Sequence, residues 1–291
     1  MRTAVRRRNR LAPALLVLLA LLIGTALFLL LRRPVDPHAG QVYLYDGFDW
    51  IWYTPLEGVT PNPWTEADFE LVGTQPRYLG TDYRTLRGVD VSEHQHRVDW
   101  GQVARSGVDY AYIRLGRRGY TEGGLFLDPF YHTNMSGASA AGLRRGVYFF
   151  SQAVTVQEAI EEARFVLENL GGQPLDLPIV FDWEKIDSAD SRTLSLPRET
   201  RTDCAVAFCE TIRAAGYAPA VYFNRNLGYY GYDLSRLTDY SFWFALPEAG
   251  WPSFYYAMDS WQFSFTEDVP GIEGETDMSL LFIPVPQENE K

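Results

Sequence analysis

From Arg87 onward, short apolar runs alternate with helical patterns, and that alternation narrows the fold more than any other feature of the chain. Candidate strands lie at residues 88–91, 110–115, 146–150, 178–183, 218–223, 242–246, 260–263 and 278–283. Helical periodicity fills residues 98–106, 128–141, 155–170 and 197–215. The third helix carries the clearest punctuation: Thr155 is placed to cap it, Glu158 to complete a capping box, and Gly171-Gly172 to end it. In the second, Pro129 suits the first helical position after Asp128. Strands that alternate with helices argue for a parallel sheet with crossover connections, and eight of them for a closed barrel. Beyond Ala218 the intervening helices shorten or vanish. The predicted fold class is α/β: an eight-stranded irregular β/α (TIM-like) barrel over residues 86–287, regular in its first half, irregular in its second.

The N-terminus reads differently. Leu11–Leu31 is 21 residues without a charge, and about 20 suffice to cross a bilayer. Five arginines precede it and two follow. The positive-inside rule then assigns residues 1–10 to a cytoplasmic basic tail and exports everything after a single transmembrane helix. A cleaved signal peptide is the rival, but its apolar core is shorter and Pro37-His38-Ala39 makes a poor cleavage site. The expectation is a single-pass signal anchor in the cell membrane. Residues 32–85 would then form an extracytoplasmic stalk, rich in Tyr43, Tyr45, Phe48, Trp50, Trp52, Tyr53 and Trp64, packed on the main domain or near the membrane surface.

Composition excludes several classes. With 46% hydrophobic and 22% charged residues the chain is not globally disordered. The net charge of −11 hides an asymmetry: seven of the 26 basic residues lie before residue 34, leaving 19 against all 37 acids. A domain that acidic lacks the cationic surface a nucleic-acid partner needs. Cys204 and Cys209 are too few for a disulfide framework and, at i, i+5 on a helix, point to different sides. His94 and His96 are a weak metal signal, and Gly116-Arg117-Arg118-Gly119 fits no phosphate-binding loop. No metal and no cofactor are expected.

The chemistry gathers at strand ends, where barrels of this kind place function. The run Leu177-Pro178-Ile179-Val180-Phe181 leads straight into Asp182-Trp183-Glu184. Residues i and i+2 share a strand face, so Asp182 and Glu184 project together. Two carboxylates that close resist double ionisation, and one pKa rises. Glycoside hydrolysis needs such a proton-holding acid beside a second carboxylate. An acid pair that merely caps the next element, or binds Lys185 or an arginine, is the plainer alternative. Asp90 and Asp277, at the ends of the first and last strands, add two more acids to the same rim.

These residues resemble the family-25 glycoside hydrolases, the muramidase lysozymes. The likeness runs through Gly88-Val89-Asp90-Val91-Ser92-Glu93-His94-Gln95, Val98-Asp99-Trp100, Gly107-Val108-Asp109-Tyr110, Gly146-Val147-Tyr148-Phe149-Phe150-Ser151, Val180-Phe181-Asp182-Trp183-Glu184 and Trp261-Gln262-Phe263. The resemblance implies cleavage of the β-1,4 bond between N-acetylmuramic acid and N-acetylglucosamine. Glu184 would be the general acid, raised in pKa, and Asp182 an ionised carboxylate assisting the substrate's acetamido group. Asp90 and Asp277 would be supporting acids, and Tyr148, Tyr222, Trp261 and Asn224 substrate-binding residues. Ser279 stands where the family often has an amide, which leaves its contact open. The partners implied are peptidoglycan glycan strands, and the membrane through Leu11–Leu31; the barrel is expected to be monomeric. A non-catalytic glycan-binding scaffold, or a membrane-linked division or sporulation factor acting through the stalk, are the rival functions.

Overall fold

The computed structural model describes residues 11–31 and 36–286. The chain divides into two compact units: the segment up to Tyr43 with Trp52–Thr54, and Leu44–Ile51 with everything from Pro55. The first contains helix α1 (Leu11–Leu31). Strands β1 (Val42–Tyr45) and β2 (Trp50–Tyr53) pair as a two-stranded sheet. Within the first unit the His38 ring stacks on Trp52 at 3.9 Å.

The membrane anchor requires correction. Residues 11–31 are helical, but among the described residues no helix is long and apolar enough to cross a membrane. The basic tail at residues 1–10, with Arg32 and Arg33, lies outside the described residues.

The second unit opens with the antiparallel hairpin β3 (Phe69–Val72) and β4 (Gln75–Tyr78). The remaining elements are β5 (Tyr83–Val91), α2 (Trp100–Arg105), β6 (Tyr110–Arg118), β7 (Leu125–Leu127), α3 (Tyr131–Ala140), β8 (Arg144–Ser151), α4 (Val156–Leu170), β9 (Ile179–Trp183), α5 (Arg198–Ala214), β10 (Pro219–Asn224), β11 (Ser241–Ala245), β12 (Ser260–Asp268) and β13 (Glu275–Pro284). One sheet runs β5-β13-β12-β11-β10-β9-β8-β6-β7, and an additional β5–β6 pairing closes eight of its strands into a ring, with β7 outside on β6.

That ring overturns the TIM-like β/α barrel. The sheet is mixed, because β13 runs antiparallel to both β12 and β5. The reason is the length of the last connection. Only six residues separate Asp268 from Glu275, enough for a turn through Gly271 and Gly274 but not for a crossover helix. Four α-helices, α2 to α5, follow β5, β6 or β7, β8 and β9; between β10 and β13 there are only short 3₁₀ and π turns.

Local chemistry accounts for the regular half. Thr155 accepts the Glu158 amide at 3.2 Å, Glu158 takes the Val154 amide at 2.8 Å, and Gly171 ends α4 at φ 61°. Asp128 is not the N-cap of the next helix, which starts after Phe130; its Oδ1 accepts the Phe130 amide, and its Oδ2 accepts Arg114 and the Glu93 amide. The barrel interior is aromatic: Tyr110, Tyr112, Tyr222 and Trp243 pack with Leu86, Val180 and Ala220. Two glycines admit those rings. A Cβ on Gly88 would lie 2.1 Å from the Tyr110 ring, and one on Gly146 2.3 Å from Tyr112. Outside the ring, Trp64 from the segment before β3 is buried against Phe282 of β13 at 4.0 Å between ring centres. Cys204 and Cys209 are free and buried.

Candidate active site

The pleat decides which side chains reach the barrel mouth. Along β9, Val180 and Asp182 face in while Ile179, Phe181 and Trp183 face out; along β5, Gly88 and Asp90 face in. Asp90, Asp182, Glu184 and Asp277 therefore line one cleft, together with Arg114, Tyr148, Phe150, Tyr222, Trp243 and Gln262. Trp243, which lines it, stacks on the buried Tyr112 ring, 4.6 Å between ring centres.

Two of the acids are held by a single amide. Asp277 and Asp90 pair across β13 and β5. Gln262 Nε2 donates to Asp90 Oδ2 at 2.9 Å and to Asp277 Oδ2 at 3.1 Å. The Tyr222 hydroxyl, donating to Gln262 Oε1 at 2.7 Å, fixes which way that amide points. On the far wall, Arg114 donates to Asp128 at 2.9 Å and to Glu93 at 2.7 Å, so its charge is already shared between two carboxylates.

Burial, more than charge, sets the protonation of this cluster. It pushes Asp90 well up, and the charge of Asp277 adds to it, while the Gln262 amide works the other way. Burial lifts Asp277 to about 7 against the Asp90 hydrogen bond. Glu184 is raised, the direction the sequence suggested, but by burial and not by the charge of its neighbours. Asp182 is pushed well up as well, by burial first and then by the charge of Glu184, with Arg114 opposing. The cause is visible in its surroundings. Asp182 Oδ1 is buried with no hydrogen-bond partner, so nothing there stabilises a charge.

Of the residues singled out from sequence, the cleft unites Glu184, Asp182, Asp90, Asp277, Tyr148 and Tyr222. Trp261 is not among them. It faces outward, fully buried, with its indole N–H on the Leu246 carbonyl at 3.0 Å and its ring 5.8 Å from Phe69. Asn224 sits in an adjoining depression that shares Glu184 with the cleft, and its Oδ1 accepts the Leu227 amide at 3.0 Å. The aromatic residue that belongs in the cleft is Trp243, whose indole N–H donates to Ser279 Oγ at 3.0 Å. Ser279 thus has a defined contact. Counting pleats along β11 and β12 would have found Trp243 and Gln262 and set Trp261 aside.

The sequence profile of the glycosyl hydrolases family 25 matches residues 89–272, which carry all of the cleft acids except Asp277. YegX of Escherichia coli (strain K12), an uncharacterized protein, is 29% identical over 212 residues, 68% of this chain and 70% of its own. Lysozyme M1 of Streptomyces globisporus is 32% identical over 116 residues, 38% of this chain and 37% of its own. The modular autolysin LytC of Streptococcus pneumoniae shares the fold, with a TM-score of 0.60 at 22% identity, covering 72% of this chain. The present chain spans 54% of that autolysin. A further structure of LytC holds a synthetic peptidoglycan ligand. With the family profile covering well over half of its length, the chain belongs to the glycosyl hydrolases family 25 and is a glycoside hydrolase of the lysozyme type.

Proposed function

We propose that this enzyme cleaves the β-1,4 bond between N-acetylmuramic acid and N-acetylglucosamine in peptidoglycan, with Glu184 as proton donor and Asp182 as the carboxylate acting on the substrate's acetamido group. The observation that carries the assignment is the pair of acids at the end of β9, one at the cleft opening and one buried behind it. Glu184 is raised by burial and so holds a proton to give to the leaving oxygen. Asp182 Oδ1 has no partner in the free chain. An acetamido N–H placed there supplies the missing donor, favours the ionised form, and lets the carboxylate stabilise positive charge as the oxocarbenium-like transition state develops. Asp90 and Asp277, fixed by Gln262, form the second carboxyl pair of the cleft, both raised by burial.

Peptidoglycan lies outside the cytoplasmic membrane, so the same reading places the barrel there. The test is digestion of purified peptidoglycan by the full chain, with the new reducing ends identified by mass spectrometry. N-acetylmuramic acid at the new reducing end is the expected product. N-acetylglucosamine ends would assign the enzyme to the other bond, and binding without release of fragments would leave a glycan-binding scaffold.

A further inference from the structure

The family profile begins at residue 89, yet a turn some forty residues earlier is built into the same compact unit as the barrel and stands beside the cleft. Asp46 Oδ1 accepts the amides of Phe48 and Asp49, each at 2.8 Å, and its backbone N–H donates to the Asp49 carbonyl at 3.1 Å. The turn is thereby rigid before any ligand arrives. Its other carboxylate oxygen accepts the Tyr230 hydroxyl, and that contact, the largest cause, holds Asp46 below the usual carboxylate range. The Arg225 guanidinium lies 5.7 Å from the Tyr45 ring centre and is fastened to Ser253 at 2.7 Å.

Tyr230 links this turn to the catalytic residues. It lines the depression of about 280 Å³ that also takes in Asn224, Asn226, Lys185 and Glu184. Glu184 in turn lines the cleft. The cleft and the depression thus meet at Glu184, and Tyr230 joins the depression to the turn. There, Phe48 and Trp50 leave 69% and 63% of their surface in solvent. An apolar patch held rigid at the margin of a polar groove marks a binding surface.

We infer that the Asp46–Asp49 turn extends the glycan groove. A polysaccharide strand leaving the cleft on the Glu184 side would cross the depression and lay sugar faces on Phe48 and Trp50, with Asp46 as the residue that positions them. The occupant is a polymeric glycan, the substrate of the proposed reaction, so the inference rests on that reading. Continuity of the surface with the cleft selects it over an unrelated partner. It gives residues outside the family profile a role in choosing long strands over short fragments.

The experiment compares the full chain with its Phe48→Ala/Trp50→Ala variant on two substrates: long glycan strands stripped of stem peptides, and a tetrasaccharide too short to leave the cleft. Both side chains are exposed, so the variant is expected to keep the wild-type melting temperature. The expected result is a fall in kcat/KM on long strands of roughly tenfold, the size of one lost aromatic contact, with the tetrasaccharide rate within about twofold. Equal loss on both substrates, or loss on neither, overturns the inference. Co-sedimentation with the long strands is measured in parallel and does not depend on turnover. If wild type sediments with strands but cuts nothing, while the variant stays in solution, the groove stands and the hydrolase reading falls. If both sediment alike, the groove falls.

Discussion

Asp90 and Asp277 face each other across neighbouring antiparallel strands and accept hydrogen bonds from one and the same amide, that of Gln262. The amide is itself oriented by Tyr222. Three groups on three strands therefore depend on one side chain of a fourth. Gln262→Ala leaves the Tyr222 hydroxyl and two carboxyls without this partner, each a buried polar group whose desolvation is no longer offset. The expected loss is about 1–3 kcal/mol of stability, with a larger fall in activity than Ser279→Ala, which touches no carboxyl of the cleft and loses the contact to the Trp243 indole. Chemical denaturation and kcat/KM measured side by side check both; a Gln262→Ala enzyme as stable and active as wild type would remove the amide from the site.

Asp277 gives a pH dependence with a definite sign. Its carboxyl has an ordinary value of 3.8 and stands at about 7 in the fold. Between those values the folded chain keeps a proton that the unfolded chain has released. The group's contribution to stability is complete below its unfolded value and is lost as pH rises through 7. Asp277→Asn keeps the neutral shape and cannot titrate. Its stability advantage over wild type should therefore grow from pH 4 to pH 7, reaching on the order of a few kcal/mol. Melting temperatures of the two proteins across that range test it, and an advantage that shrinks with pH reverses the sign.

Eight strands, four barrel helices and both acids of β9 could be read from sequence because each leaves a local signature: an apolar run, a cap, or a carboxylate following a buried stretch. What could not be read depends on longer-range relations. Parallel or antiparallel placement of β13 follows from the short turn after Asp268, which a list of apolar runs does not weigh. The upward shift of Asp182 comes from burial and then from the charge of Glu184, with Oδ1 left without a donor, all properties of the assembled mouth. The packing of Trp64 against Phe282 spans more than two hundred residues of chain. Residues 55–85 carry no period because they cover the barrel in short pieces, not as long elements.

Trp261 and Trp243 separate stability from binding. Trp261 is fully buried outside the ring, against Phe69. Trp261→Ala should cost about 3–5 kcal/mol, while the enzyme that remains folded keeps its KM. Trp243 lines the cleft over Tyr112. Trp243→Phe should raise KM severalfold with a small change in melting temperature. The reverse pattern, a KM effect at Trp261 and none at Trp243, would turn the β12 pleat the other way.

The division of labour between Glu184 and Asp182 can be decided by the leaving group. Glu184→Gln keeps the shape and removes the proton, so glycan binding should persist while the rate falls by roughly 10²–10⁴ or more. Asp182→Asn should be as severe for another reason: it removes the charge that assists the acetamido group and leaves an amide at the buried end of the cleft. An aryl glycoside with an acidic phenol departs without needing a proton. It should restore much of the rate to Glu184→Gln and little to Asp182→Asn. The pH profiles supply a second reading. Glu184 is raised by burial, and loss of its proton should form the alkaline limb in wild type; that limb should vanish in Glu184→Gln acting on the aryl glycoside and remain in Asp182→Asn. Rescue of Asp182→Asn alone would exchange the two roles. Full activity in both variants would move the chemistry out of this cleft altogether.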